Sequence, residues 1–94
     1  MIVKFFFDPE TGQPHIHNHG VTEPEVRQVL ARPGLVLEGS ENSRFALGQT
    51  EAGRYLKVVY APREDAEGIF VITAYELRGK ELKAYRRRRR GRSQ

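Results

Sequence analysis

The chain has 94 residues, 38% of them hydrophobic and 30% charged, with a net charge of +4. This length sustains one modest core, and the composition is that of an ordinary globular protein rather than a disordered or membrane-embedded one. With no cysteine present, disulfide staples and thiolate metal sites are excluded.

In chain order, Ile2 to Phe7 is aromatic and β-branched and predicts a first strand. Lys4 interrupts the apolar run and Asp8-Pro9 ends it, too soon for a signal-peptide core or a bilayer span, so a cytoplasmic location is expected. The Asp8-Pro9-Glu10-Thr11-Gly12 segment has turn chemistry, and His15–Gly20 reads as either a short helical turn or a loop. Thr22 and Glu25 then form a Thr-x-x-Glu capping box, flanked by Val21 and Val26 at the spacing of a hydrophobic staple. Pro24 is tolerated in a first helical turn, and Arg32-Pro33-Gly34 stops the helix, so a helix is predicted over 23–32.

Leu35–Glu38 and Arg44–Gln49 read as one bent or interrupted strand region around Gly39-Ser40. Glu51-Ala52-Gly53 connects it to Arg54–Ala61, where Leu56, Val58 and Tyr60 alternate with Tyr55, Lys57 and Val59. After a polar loop over 62–68, Ile69–Tyr75 is the most apolar run and predicts a central strand. Arg78 to about Arg90 contains mostly good helix formers, with Leu82 and Tyr85 on one edge. The expectation is an α+β fold: a small, mainly antiparallel four-stranded sheet packed by two helices, in the order β-α-β-β-β-α. Residues 1–85 would be the single globular domain, and 86–94 an arginine-rich tail continuing the last helix.

Charge is segregated along the chain. From Arg78 onward there are nine basic residues against one acid; before it there are seven against eleven. Lys80, Lys83, Arg86, Arg87, Arg88, Arg89, Arg90 and Arg92 are therefore candidate nucleic-acid-binding residues, because guanidinium forks match phosphate geometry and each neutralised phosphate releases counterions. A solubilising tail, or docking on an acidic partner, is the bland alternative. Phosphate contacts alone carry no base specificity.

His15, His17 and His19 would share a face on a strand, yet no cysteine or suitably spaced acid completes a ligand set, so no metal is expected. A histidine that packs near the start of the helix, or His19 as a proton-transfer group, remains. Arg44, Arg54, Tyr55, Lys57, Tyr75, Arg78 and Lys80 are the remaining polar set; lysine, tyrosine and arginine clustered on a sheet can move protons and face phosphorane charge. The bland reading has the tyrosines packed and the arginines in solvent. There is no phosphate-binding glycine loop and no hydrolase nucleophile motif.

Four segments together resemble the BrnT branch of the RelE/ParE-like toxins: Phe6-Phe7-Asp8-Pro9, His19-Gly20-Val21-Thr22, Gly48 with Gly53-Arg54, and Ile72-Thr73-Ala74 with Glu81 and Tyr85. The resemblance covers about residues 5–85. It implies a compact sheet packed by helices, metal-independent endoribonuclease activity on mRNA or ribosome-associated RNA, neutralisation by a cognate antitoxin, and no small-molecule cofactor. It matches His19, Arg54 and Tyr85 as site positions; Lys57, Tyr75 and Arg78 are catalytic candidates from the residues alone. Two positions depart from the pattern: Tyr75 stands where the branch commonly has arginine, and a Gly-Gln-Pro-His segment replaces a short basic helix. Three readings stay open: an endoribonuclease toxin, a non-catalytic RNA-binding or ribosome-associated module, and a protein-interaction domain.

Overall fold

The computed structural model describes residues 2–63 and 68–92, and the side chains of all of these except residues 90–92. Its elements are β1 (Ile2–Phe5), a 3-10 turn (His15–His19), α1 (Glu23–Ala31), β2 (Leu35–Glu38), β3 (Arg44–Gln49), β4 (Tyr55–Pro62), β5 (Gly68–Glu76) and α2 (Gly79–Arg92). The five strands form one sheet in the order β1-β5-β4-β3-β2.

The α+β class and the two helices match expectation, but the sheet differs in two ways. First, 35–49 is two strands, not one bent strand: β2 and β3 pair antiparallel, from Leu35 opposite Leu47 to Glu38 opposite Arg44. Glu41 and Asn42, at φ 53° and 64°, reverse the chain between them, a left-handed conformation asparagine tolerates comparatively well. Second, β1 pairs parallel with β5, Ile2 opposite Gly68 to Phe5 opposite Val71, so the sheet is mixed. Parallel partners need a crossover, and here nearly the whole domain supplies it.

The capping box forms as the sequence predicts. Glu25 N–H donates to Thr22 Oγ1 at 3.4 Å and Thr22 N–H to Glu25 Oε1 at 3.0 Å. Val21 and Val26 are both buried in the main core. The helix ends at Ala31, with Arg32 as its cap.

Each sheet face has its own core. On one face α1 and the 3-10 turn cover Phe5, Ala46, Leu56, Val58, Val71 and Ala74 with Ile16, Val21, Val26 and Val29. On the other, Leu77, in the link before α2, and Tyr85 of α2 cover Leu35 and Leu47. The alternation along β4 assigns its residues to these faces, Leu56 and Val58 inward to α1, Tyr55 and Lys57 toward α2. Val59 pairs with Thr73 and Tyr60 with Val71, leaving Ile72 as an extra residue on β5; this bulge lets Val71 and Ala74 face the same core. Because β1 stops at Phe5, the 3-10 turn takes over the flank of the C-terminal half of β5.

No helix among the described residues is long and apolar enough to cross a membrane.

Candidate nucleic-acid interface

The last helix projects its charge outward. Lys80, Lys83, Arg86, Arg87, Arg88 and Arg89 are all exposed. Among the described residues, Lys80, Lys83, Arg87 and Arg88 have no ion-pair partner. Arg90 and Arg92 belong to α2, but their side chains lie outside the described residues. The helix is anchored by Tyr85 and Leu77, both buried, and by Leu82. Burial pushes the Tyr85 hydroxyl pKa up, against the lowering influence of Arg89, so Tyr85 stays neutral and serves as a packing anchor.

A cleft of about 880 Å³ opens where α2 meets the end of α1 and the β3–β4 turn. Arg32, Arg86 and Arg89 line it, with Tyr55, Tyr85 and a single carboxylate, Glu51. The Arg86 guanidinium lies 5.0 Å from the centre of the Tyr55 ring, whose edge-to-face partner is Tyr85 at 6.0 Å. Arg89 Nη1 donates to the carbonyl of Gly34 at 3.1 Å. Gln28 of α1 pins the facing turn by accepting the Glu51 N–H at 3.0 Å.

Along the same sheet face, next to Tyr55, runs a second group. Lys57 Nζ lies 3.1 Å from Glu81 Oε2, 4.5 Å from the centre of the Phe45 ring and 5.6 Å from that of Tyr75. Burial disfavours the Lys57 charge, but its hydrogen bonds with Tyr75 and Glu81 outweigh that and hold the pKa above 10.5. It is a fixed cation, not a base. The Tyr75 ring is 6.1 Å from His19, which is 5.3 Å from His15. His15 Nδ1 is 3.6 Å from Asp8 Oδ2, and Asn18 donates to the same oxygen at 2.7 Å. The 3-10 turn, not a strand, sets this spacing and brings the His15 and His19 rings together; both His17 and His19 are exposed. Among the described residues no three His, Asp or Glu side chains form a group that could hold a metal ion.

The six candidate catalytic residues therefore separate. His19, Tyr75 and Lys57 come together. Tyr85 is a core anchor. Arg78 is exposed and pairs with Glu76 at 3.1 Å. Arg54 turns to the other side of the sheet, where its Nη1 meets Glu25 at 2.9 Å and the Gly20 carbonyl at 3.0 Å. It closes α1 onto the sheet, paired with Glu25. Sequence reasoning missed Arg32, Glu81 as a partner of Lys57, and the pairing of His15 with His19. The i,i+4 spacings of Glu81 with Tyr85 and of His15 with His19 were the available signals.

The model of a family described as Domain of unknown function (DUF4258) matches residues 14–76, from the 3-10 turn through β5. The matched stretch holds Lys57, Tyr75 and both histidines of the second group but not α2. No curated protein matches the chain.

Proposed function

This chain belongs to the DUF4258 family, a domain of unknown function, and we propose that it is an RNA-binding protein acting as a metal-independent endoribonuclease. The observation that carries the binding half is that Lys80, Lys83, Arg87 and Arg88 of α2 are exposed and, among the described residues, pair with none of the body's carboxylates. Each can neutralise a phosphate and release counterions.

The cleavage half rests on the His19–Tyr75–Lys57 group. The 2′-oxygen of the substrate attacks the adjacent phosphorus, forming the new P–O bond as the bond to the 5′-oxygen breaks. His19 takes the 2′-hydroxyl proton and the Tyr75 hydroxyl protonates the departing 5′-oxygen. The Lys57 ammonium, held charged in its half-buried position, faces the negative charge that grows on phosphorus. As a toxin the chain would be silenced by a partner antitoxin, and exposed Ile2, Phe6, Phe7, Phe70 and Ile72 are the apolar surface such a partner would cover.

A second reading, RNA binding without cleavage, is favoured by one observation: Arg54, Arg78 and Lys57 are each already paired with a carboxylate. The test is incubation of RNA with the purified chain in EDTA, beside Lys57→Ala. Cleavage by the wild type that Lys57→Ala abolishes supports the endoribonuclease. Salt-dependent binding without cleavage supports the second reading. Binding that ignores RNA and persists in high salt would overturn both in favour of a protein-interaction domain.

A further inference from the structure

We propose that the cleft between α1, the β3–β4 turn and α2 is a nucleotide site, in which Arg32 and Arg86 hold the phosphate of one unpaired nucleotide and the Gln28–Glu51 wall meets its base. This rests on the RNA-binding reading above and adds a recognition site separate from the His19–Tyr75–Lys57 group.

Charge selects an anion. Three arginines and one glutamate line the cleft, and neither Arg32 nor Arg86 has an ion-pair partner among the described residues. The C-terminal end of α1 brings partial negative charge to the wall at Ala31, which the Arg32 cation capping that end offsets. Shape and chemistry select a planar heterocycle beside that anion. Arg86 lies over the Tyr55 ring, its guanidinium carbon 5.0 Å from the ring centre, and a delocalised, planar cation of this kind is one on which a base can stack. Gln28 spends its amide oxygen on the Glu51 N–H, which leaves its NH2 as a donor, while the Glu51 carboxylate is an acceptor. These are the complementary groups a base edge requires.

The walls are built before any ligand arrives. Gln28 fixes the turn, Thr50 N–H donates to the Arg54 carbonyl at 2.7 Å, and Arg89 ties α2 to Gly34. A volume of about 880 Å³ falls within the usual range of small-ligand pockets. It admits a splayed nucleotide but not a base still stacked and paired in a duplex.

The test is titration of the 15N-labelled full chain with inorganic phosphate, with the four nucleoside monophosphates, and with a short oligoribonucleotide as single strand and as duplex. Amide resonances of Gln28, Glu51 and Tyr55 are expected to shift with nucleotides and with the single strand. Arg32→Ala and Arg86→Ala should each weaken monophosphate binding by about ten-fold, the loss of one charge-assisted contact. Lys4→Ala removes one positive charge from an exposed residue of β1, outside both the cleft and α2, and should change it by less than about two-fold. A strand that binds more tightly than the monophosphate, shifting the same resonances, identifies RNA as the source of the nucleotide. A monophosphate that binds as tightly identifies a free nucleotide; either supports the site. Equal losses from Arg86→Ala and Lys4→Ala, or equal shifts from bare phosphate, would overturn it. If RNA binds while its shifts stay on the outer face of α2, the cleft proposal fails and the RNA-binding reading stands. If monophosphates bind and no RNA does, the reverse holds.

Discussion

Arg54, immediately before β4, and Glu25, in the first turn of α1, form a two-contact ion pair, with Arg54 Nη1 3.0 Å from Oε1 and 2.9 Å from Oε2. The same guanidinium reaches the Gly20 carbonyl at 3.0 Å and Glu76 at 3.7 Å. One side chain thus joins the end of the 3-10 turn, α1 and β5, while Glu25 also completes the capping box with Thr22. Arg54→Ala should lower unfolding free energy by about 1–2 kcal/mol, a value discounted from that of a fully buried pair because both side chains keep some solvent contact. Urea denaturation measures this. The folded fraction of Arg54→Ala should retain the RNA affinity and cleavage of the wild type.

The same pair makes stability depend on acid. Burial pushes the Glu25 carboxyl up, but the Thr22 N–H and the Arg54 guanidinium outweigh it and hold the carboxyl below its ordinary 4.5. A depressed folded-state pKa stabilises fully above the unfolded value and loses that contribution as pH falls through the folded value. Stability of the wild type should therefore decline below pH 4.5, and Glu25→Gln should be less stable at neutral pH with a shallower acid decline. Thermal melts of both proteins across that pH window check the slope; parallel curves would count against the pair as its source.

On the endoribonuclease reading proposed above, Lys57 is the residue on which cleavage would depend most directly. Its ammonium is held by Glu81 at 3.1 Å on a half-buried sheet face. Lys57→Ala should reduce the cleavage rate by about a hundred-fold or more, on the scale of losing one group that stabilises transition-state charge. Affinity for RNA, set by α2, should stay within about two-fold of the wild type, since one of several phosphate-range cations is removed. Single-turnover cleavage together with binding separates the two effects.

The exposed cations of α2 predict a salt dependence. Arg87 and Arg88 are exposed and lack ion-pair partners among the described residues. Replacing both by alanine should reduce the slope of log affinity against log salt by about 1.4 on single-stranded RNA, roughly 0.7 per phosphate contact. Fluorescence anisotropy over a salt series measures it, and an unchanged slope would remove both from the interface.

Gly34 faces Tyr85 so closely that a Cβ there would meet the Tyr85 hydroxyl, with Tyr85 Cζ at 3.0 Å and Arg89 Nε at 3.3 Å. Gly34→Ala should therefore cost about 1–3 kcal/mol by overpacking the α2 anchor. Tyr85→Phe in the same chain, lacking the clashing oxygen, should recover part of that loss. Denaturant midpoints for the two single variants and the double variant test the coupling.

Features carried by neighbouring residues could be read before any coordinates. The Thr22–Glu25 capping box, the α1 stop at Arg32-Pro33, and the two faces of β4 follow from hydrogen bonds and periodicities spanning a few positions, and they hold in the structure. The concentration of charge after Arg78 is likewise a property of the chain. The β2–β3 hairpin was hidden because its turn uses Glu41 and Asn42 in left-handed conformations, where no Asn-Gly or Asp-Gly pair announces it.

Only the tertiary structure decided which distant groups meet. The parallel pairing of β1 with β5 joins residues from opposite ends of the domain, and no local preference encodes it. The fate of each charged side chain follows from what the fold places beside it: Arg54 faces Glu25 and is neutralised, Lys57 faces Glu81, and Arg86 lies on Tyr55 beside the cleft. The amino-acid order determined where positive charge is dense and which segments coil or extend. Closure of the sheet determined which of those charges remain available, because Coulomb and hydrogen-bond energies depend on separations in space and not along the chain.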